Sequence, residues 1–148
     1  MPTLTHTAPT IVVADDDLAQ RTLISSLLEP DGYRVITFDN GRDAGSYLQT
    51  HTPDLVILDI HMPYYSGLEL CDRIKRVPRL QNVPVMILTS ADGEFTRMQS
   101  QLIKADLMVA KPFVGGELRW TVYRMIQSPE KRAVLRMPAI DDTRKTWF

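Results

Sequence analysis

One stretch decides how the chain folds: Asp54-Leu55-Val56-Ile57-Leu58-Asp59, in which four apolar residues stand between two aspartates. Apolar runs of this length that end in a polar residue are typical of buried parallel strands. Three other segments share this form: Ile11–Ala14 before Asp15 and Asp16, Val85–Leu88 before Thr89, and Leu107–Ala110 before Lys111. Ligands of open α/β sheets bind at the carboxyl ends of the strands, so these polar side chains are predicted to meet in one site.

Helical patterns separate these strands, and a further strand is predicted over about Tyr33 to Phe38. The predicted helices are one capped by Asp17 or Asp16 with the apolar stripe Leu23, Ile24, Leu27 and Leu28, one opening at Asp39-Asn40-Gly41, one from after the Pro63–Gly67 loop to about Arg76, one over about Gly93–Ile103, and one over about Gly116–Gln127. Five strands alternating with five helices predict an α/β fold with a parallel sheet and right-handed crossovers.

Composition limits the classes of function. A chain of 148 residues with 44% hydrophobic and 24% charged residues is typical of one globular domain. The formal net charge of −1 gives no basic face for nucleic acid, and no apolar stretch has the length of a membrane span, so we expect a cytoplasmic protein that binds neither. The single cysteine, Cys71, excludes an internal disulfide framework and is expected to be a small apolar residue on a helix.

The chain is predicted to comprise a short arm at 1–9, a domain at 10–127 and a tail at 128–148. The tail carries five basic and three acidic residues and ends in Trp147-Phe148, whereas the rest of the chain has an excess of acidic residues. Such a tail either docks on a partner, folds back on the domain, or is a poorly ordered terminus.

The predicted site joins three carboxylates, a hydroxyl and an ammonium. Asp15, Asp16 and Asp59 repel one another unless a cation compensates their charge, and hard oxygen ligands suit Mg²⁺. Lys111 adds a compact positive charge, and Thr89 adds a hydroxyl donor. Phosphoryl transfer needs mainly positioning and charge neutralisation, and this set of residues would supply both.

Residue by residue, about Thr10 to Gln127 resembles the CheY-like receiver domains of bacterial response regulators in two-component signalling. The matching motifs are Val12-Val13-Ala14-Asp15-Asp16-Asp17, the run from Pro53 to Pro63, Gly67-Leu68-Glu69-Leu70, the run from Pro84 to Ser90, and Lys111-Pro112-Phe113. The motifs occur in order and at matching spacings, which makes the resemblance specific. It implies a flavodoxin-like, doubly wound sheet of five parallel strands in the order 2-1-3-4-5, with helices on both faces.

The resemblance also implies roles for the site residues. Asp59 would accept a phosphoryl group from a phosphohistidine on a sensor histidine kinase or a histidine phosphotransfer protein. Mg²⁺ would be held by Asp16, Asp59 and the backbone carbonyl of His61, with Asp15 acting directly or through a water. Thr89 and Lys111 would bind the phosphoryl group, and the peptide bond before Pro112 would be cis.

Some positions depart from the family pattern. Met108 stands where the family usually has an aromatic switch residue, which puts a two-position aromatic switch in doubt. Tyr64-Tyr65-Ser66 replaces a loop in which a glycine and an acidic residue are frequent. His61 and Ala91 occupy positions that in this family tune the lifetime of the phosphoryl group.

Three functions are compatible with the sequence. The first is a stand-alone receiver, not an enzyme beyond self-catalysed phosphorylation and dephosphorylation, because about 21 residues after 127 are too few for a further domain. The second is a degenerate receiver that signals without phosphorylation. The third is a Mg²⁺-dependent phosphohydrolase with an aspartyl-phosphate intermediate, which would need an acid at the position of His61.

The output of such a receiver would be a contact with a downstream protein that the sequence does not identify. The resemblance places partner docking on the face of the fourth helix, fifth strand and fifth helix, which is also a candidate homodimer surface. Trp120 and Tyr123 are aromatic residues of the kind that anchor interfaces. The alternative is that both rings lie over the domain surface or under the tail.

Overall fold

The computed structural model describes residues 8–89 and 105–127. Its strands are β1 (Thr10–Ala14), β2 (Arg34–Phe38), β3 (Leu55–Asp59), β4 (Val85–Thr89) and β5 (Leu107–Ala110). They form one parallel sheet in the order β2-β1-β3-β4-β5. The predicted α/β class and strand order are confirmed.

The described helices are α1 (Leu18–Leu28), α2 (Gly41–Leu48), α3 (Gly67–Arg76) and α4 (Gly115–Ile126), with a 3₁₀ turn at Glu29–Asp31. The helix predicted over Gly93–Ile103 and the predicted tail at 128–148 lie outside the described residues. Among the helices of residues 8–89 and 105–127, none has the length and apolar character that crossing a bilayer requires.

The core consists of two apolar layers, one on each face of the sheet. Val56 and Leu58 of β3 point into the layer covered by α2 and α3, whereas Leu55 and Ile57 point into the layer covered by α1 and α4. Every residue of β3 and β4 is buried, because these central strands have helices on both faces. This burial explains why the central strands are continuous apolar runs.

Polar residues begin the first three helices. The Asp17 side chain caps α1 by accepting from the backbone N–H of Ala19, and Asn40 caps α2 in the same way. Ser66 and Glu69 exchange hydrogen bonds in a capping box at α3. Each cap satisfies N–H groups that the first helical turn leaves without partners, so each helix starts at a defined residue after its strand.

The apolar stripe predicted for α1 is only partly correct. Ile24 and Leu28 are fully buried, but Leu23 is exposed. Leu23 precedes Ile24 by one residue and is therefore turned by about 100° around the helix, toward solvent.

A lysine clamp ties the end of α3 to the start of β5. The Lys75 Nζ donates to the Asp106 carboxylate at 2.7 Å and to the carbonyls of Val83 and Gln81 at 2.9 and 3.3 Å. The same Asp106 oxygen accepts from the backbone N–H of Val85 at 2.8 Å. The Lys75 side chain is only 15% exposed, so its charge is matched by partners within the fold.

Candidate functional site

The three carboxylates predicted from the sequence meet at the carboxyl edge of the sheet. Asp15 and Asp16 follow β1, Asp59 ends β3, and these strands are neighbours with Ala14 opposite Leu58. One carboxylate oxygen from each lies within 4.8 Å of the other two. Asp15 and Asp59 are buried and Asp16 is exposed, so the cluster opens to solvent on one side.

Asp15 is the least satisfied member of the cluster. Its Oδ1 accepts from the backbone N–H of Asp17 at 2.9 Å, but its buried Oδ2 accepts no hydrogen bond from the described residues. Burial raises the pKa of Asp15, the hydrogen bond from Asp17 lowers it, and the charge of Asp59 raises it again, so that the net pKa lies above the usual value. The ionised form is therefore costly, and the charge of Lys111, which lowers the pKa of Asp15, offsets only part of that cost.

Lys111 reaches the cluster from the end of β5. Its Nζ donates to the Asp59 Oδ1 at 2.9 Å and lies 3.9 Å from the Asp15 Oδ2. Burial alone lowers the pKa of Lys111, but the hydrogen bond and charge of Asp59, together with the charge of Asp15, raise it overall. Lys111 is therefore a firmly protonated ammonium, and it is followed by a cis peptide bond to Pro112.

Thr89 lies at the carboxyl end of β4 beside the carboxylate cluster, whereas Met108 of β5 lies in the apolar core. Thr89 is the buried last residue of β4, one position beyond Leu88, which pairs with Asp59. Its carbonyl accepts the backbone N–H of Lys111 at 2.7 Å. Met108 is buried in the layer under α2 and α3, so it faces the core in this structure.

The loop after β3 carries two aromatic–arginine contacts. Tyr64 has a φ of 71°, which is uncommon for a residue other than glycine, and the residue is 64% exposed. The Arg42 guanidinium lies 4.1 Å from the centroid of Tyr64, and that of Arg73 lies 4.2 Å from the centroid of Tyr65. These contacts connect the loop to α2 and α3, while His61 at the start of the loop is exposed.

Gly67 fixes the distance between α3 and the carboxyl end of β3. A Cβ at this position would overlap the carbonyl of Asp59, so only glycine lets the helix start here. The backbone N–H of Gly67 donates to the Ile60 carbonyl at 2.9 Å. The first turn of α3 is therefore in direct contact with the backbone of Asp59.

Arg21 is a site contact that the sequence analysis missed. Its Nη1 donates to the backbone carbonyl of Asp15 at 2.7 Å from the second turn of α1. The only signal in the sequence is a basic residue soon after three aspartates, which does not distinguish this contact from a solvated arginine. The contact holds the backbone from which the Asp15 side chain projects.

The residues present fit a divalent cation. Three carboxylates with an unsatisfied buried oxygen among them form a set of hard oxygen ligands with excess negative charge. The ammonium of Lys111 compensates only part of that charge. Asp15, Asp16, Asp59, Thr89 and Lys111 are thus brought to one edge of the sheet, where a cation and an anionic group would have complementary partners.

Known proteins share this architecture. The family described as the response regulator receiver domain matches residues 11–123. The phosphate regulon transcriptional regulatory protein PhoB of Rhizobium meliloti is 37% identical over 119 residues, which cover 80% of this chain and 52% of that protein. The chain thus spans about half the length of that curated relative.

Solved structures agree. The receiver domain of a signal transduction histidine kinase from Syntrophus aciditrophicus has a TM-score of 0.77 and 32% identity, covering 80% of this chain and 90% of that chain. The receiver domain of the sensor histidine kinase PA1611 from Pseudomonas aeruginosa, solved with a magnesium ion in its active site cleft, has a TM-score of 0.76, covering 82% of this chain and 100% of that chain. At 24% identity, this second likeness supports the fold alone.

The matched family, the relatives and the observed strand order lead to the same conclusion. The chain belongs to the response regulator receiver domain family of two-component signalling proteins.

Proposed function

We propose that Asp59 accepts a phosphoryl group from the phosphohistidine of a sensor histidine kinase or a histidine phosphotransfer protein. The observation that carries the proposal is the position of Asp59, which is bound by Lys111 at 2.9 Å inside a cluster of three carboxylates. Receiver domains take phosphoryl groups from histidine kinases, and the cognate kinase of this chain is a matter for experiment.

In this reaction an oxygen of the Asp59 carboxylate forms a bond to phosphorus, while the bond from phosphorus to the donor imidazole nitrogen breaks and the imidazole leaves. Lys111 holds one Asp59 oxygen and keeps a positive charge beside it. Arg21 fixes the backbone of Asp15, and Gly67 fixes that of Asp59, so the carboxylates stay in place as charge builds up.

Asp15, Asp16, Asp59 and the backbone carbonyl of His61 are the proposed ligands of Mg²⁺. Bound Mg²⁺ would supply positive charge to the phosphoryl oxygens and relieve the repulsion among the carboxylates. The support from this chain is the Asp15 Oδ2, a buried oxygen that accepts no hydrogen bond from residues 8–89 and 105–127.

Thr89 and Lys111 are the proposed partners of the phosphoryl group after transfer, and the output is a changed contact with a downstream protein. Met108 is already buried among aliphatic side chains, so a switch at this position would repack a flexible thioether rather than rotate a ring. The homodimer predicted on the face of the fourth helix, fifth strand and fifth helix includes 93–103, which lies outside the described residues.

The division into an arm at 1–9, a receiver domain at 10–127 and a tail at 128–148 remains a proposal, as does the stand-alone status of the receiver. Relatives such as PhoB of Rhizobium meliloti are transcriptional regulatory proteins about twice as long as the matched segment. The five assembled site residues favour a phosphorylated receiver over a degenerate one, and His61 stands where a phosphohydrolase would need an acid.

The test is phosphorylation of the purified chain by acetyl phosphate with Mg²⁺, followed by intact-protein mass spectrometry. We expect one added phosphoryl group, and none in Asp59→Asn. Asp54→Asn is the matched control, because Asp54 precedes the same strand at its other end and accepts only a backbone N–H from Thr10 among the described contacts. Labelling of Asp59→Asn at the level of the unchanged chain would refute the proposal.

A further inference from the structure

The loop at 60–66, between β3 and α3, contains a strained residue. Tyr64 has a φ of 71°, and within 8–89 and 105–127 it is the one residue other than glycine with a positive φ. A residue with a Cβ adopts this left-handed conformation at a cost in free energy that glycine avoids. Residues in such conformations persist where neighbouring contacts hold them, and they concentrate at functional sites. A tyrosine here, rather than a glycine, points to a function for its side chain.

Contacts with α2 and α3 hold this loop in place. The backbone N–H groups of Gly41 and Tyr65 both donate to the Pro63 carbonyl, at 3.2 and 3.0 Å. A Cβ on Gly41 would overlap the backbone of Tyr65, so α2 begins directly against the loop. The guanidinium of Arg73, on α3, lies 4.2 Å from the ring centroid of Tyr65. None of these contacts involves the ring of Tyr64.

The Tyr64 ring instead lies at the surface together with Arg42. Tyr64 is 64% exposed, and the Arg42 guanidinium carbon lies 4.1 Å from the centroid of its ring. The Arg42 side chain is 56% exposed, and its Nε lies 3.5 Å from the Asp43 carboxylate. Ion pairs this exposed hold their charges loosely, so the guanidinium can also receive a carboxylate from a partner. Tyrosine and arginine are enriched among the residues that dominate the binding energy of interfaces.

The Tyr64–Arg42 pair lies at the carboxyl edge of the sheet, as the acidic site does. Tyr64 follows the end of β3 by five residues, and Arg42 follows the end of β2 by four. The other two most exposed large apolar side chains of the described residues, Leu18 and Val114, follow the ends of β1 and β5. Exposed apolar side chains therefore lie along the edge that holds Asp59, and groups of such side chains mark interaction surfaces.

The burial of Asp59 decides which partner must cover this edge. Asp59 is 6% exposed, so a phosphohistidine reaches its carboxylate only when the protein that carries the histidine lies against the surrounding edge. Acetyl phosphate is small, and it needs no contact with the exposed pair to reach the same carboxylate. A contact at the Tyr64–Arg42 pair would therefore affect protein donors and leave small donors unaffected.

We propose that the Tyr64–Arg42 pair is a recognition contact for the protein that donates the phosphoryl group. The Tyr64 ring packs against an apolar side chain of the donor, and the Arg42 guanidinium binds an acidic one. The inference rests on the proposed phosphoacceptor function of Asp59 and adds a determinant of its partner. A tyrosine supplies contact area at a low cost in side-chain entropy, and stacking on its ring orients the guanidinium. A glycine at 64 would form the turn with less strain but would present no ring.

The experiment compares two kinds of phosphoryl donor on the full chain. Purified histidine kinases and histidine phosphotransfer proteins, radioactively labelled on histidine, are first screened against the unchanged chain. The protein that transfers fastest is then the protein donor for every variant. Acetyl phosphate with Mg²⁺ is the small donor, and intact-protein mass spectrometry follows its reaction. The rate of phosphorylation is measured with both donors.

The ring and the charge are each removed in turn. Tyr64→Gly suits the left-handed backbone and is expected to fold; it should slow transfer from the protein donor about tenfold and leave acetyl phosphate labelling within about twofold. Tyr64→Phe keeps the ring and should stay within about threefold of the unchanged chain with both donors. Arg42→Glu should slow the protein donor about tenfold or more, because it places like charges together.

Arg76→Glu is the matched control for Arg42→Glu. Arg76 is likewise an exposed arginine paired with an aspartate, but it lies in the last turn of α3, away from the loop at 60–66. This variant should accept phosphoryl groups from both donors at the unchanged rate. Asp59→Asn should accept them from neither donor, which tests whether both use the same carboxylate. Circular dichroism verifies that each variant is folded.

Three outcomes would overturn the inference. One is transfer from the protein donor to Tyr64→Gly at the unchanged rate. Another is a Tyr64→Gly variant that loses acetyl phosphate labelling to the same extent, since the ring would then maintain the site itself. The third is a chain that acetyl phosphate labels but no protein donor does, which would still leave Asp59 as the phosphoacceptor. Failure of both donors to label the unchanged chain would refute the proposed function and this contact with it.

Discussion

Two lysine–aspartate pairs lie at opposite edges of the sheet, and they differ in how completely their charges are satisfied. Lys75 has three acceptors, and the Asp106 oxygen that it binds also accepts a backbone N–H. Lys111 donates to Asp59, but the neighbouring Asp15 Oδ2 is left without a hydrogen bond from the described residues. The bond lengths are similar, at 2.7 and 2.9 Å, so distance does not distinguish the two pairs.

The difference lies in the polar groups around each pair. An ammonium with three acceptors holds elements together, as the largely buried Lys75 does for α3 and β5 through the more exposed Asp106. A pair surrounded by surplus carboxylates has unfavourable electrostatic energy that a ligand can relieve. We conclude that the unsatisfied oxygen, rather than the ion pair, identifies the functional edge.

The largest expected effect on stability comes from breaking the satisfied pair. Lys75→Met should lower the free energy of unfolding by about 2 kcal/mol, because the carbonyls of Val83 and Gln81 and the Asp106 carboxylate all lose the donor that they share. Lys111→Met should cost roughly 1 kcal/mol, since Lys111 has fewer described acceptors. Urea unfolding measures both; a larger loss for Lys111→Met would contradict the comparison.

Removing the charge of Asp15 should stabilise the fold, in contrast to the two lysine substitutions. Without divalent cations, Asp15→Asn should raise the free energy of unfolding by about 1 kcal/mol, because a buried carboxylate that repels Asp59 becomes neutral. The same change should weaken Mg²⁺ binding about tenfold or more, measured by calorimetry. Destabilisation of Asp15→Asn in a chelator would show that its charge is already matched.

The buried thiol of Cys71 lies near the Lys75–Asp106 pair, so its reactivity can measure how easily this region opens. Burial raises the pKa of its thiol to about 12, and the charges of Lys75 and Asp106 act on it as well. The thiol is therefore protonated at neutral pH, and a thiol reagent should label it only after local or global opening. Lys75→Met should speed labelling about tenfold, whereas rapid labelling of the unchanged folded chain would contradict the burial.

The smallest effect is expected at a third, exposed pair. The hydrogen bond from Arg119 lowers the pKa of Asp31 below its ordinary value of 3.8. A lowered folded pKa means that this contribution to stability is present above pH 3.8 and is lost as the pH falls through the folded value. Arg119→Gln should thus differ slightly from the unchanged chain at neutral pH and converge with it in acid, as followed by thermal unfolding. A stability difference between Arg119→Gln and the unchanged chain that grew as the pH fell would contradict this prediction.

The strands were predictable because their signal is local. The apolar runs before Asp15, Asp59, Thr89 and Lys111 match the observed strands, since a strand covered on both faces must be apolar throughout. Parallel strands with chemistry at one end also imply where the side chains converge. That inference needs no contact information beyond the order of the elements.

What the sequence did not predict depends on contacts between distant segments. Lys75 and Asp106 are 31 residues apart, and Arg21 looks like any other arginine on an amphipathic helix. The exposure of Leu23 depends on how α1 is rotated about its axis over the sheet. The apolar pattern did not determine whether Leu23 or only its neighbour Ile24 faces the core.

Gly67 has a mechanical consequence. Its lack of a side chain leaves no slack between the Asp59 backbone and the first turn of α3, and the last turn of the same helix holds the start of β5 through Lys75. A displacement at the end of β3 would therefore move α3, and through Lys75 it would also move the start of β5 at the amino end of the sheet. Any side chain at position 67 would push the first turn of α3 away from the Asp59 backbone and so weaken this connection.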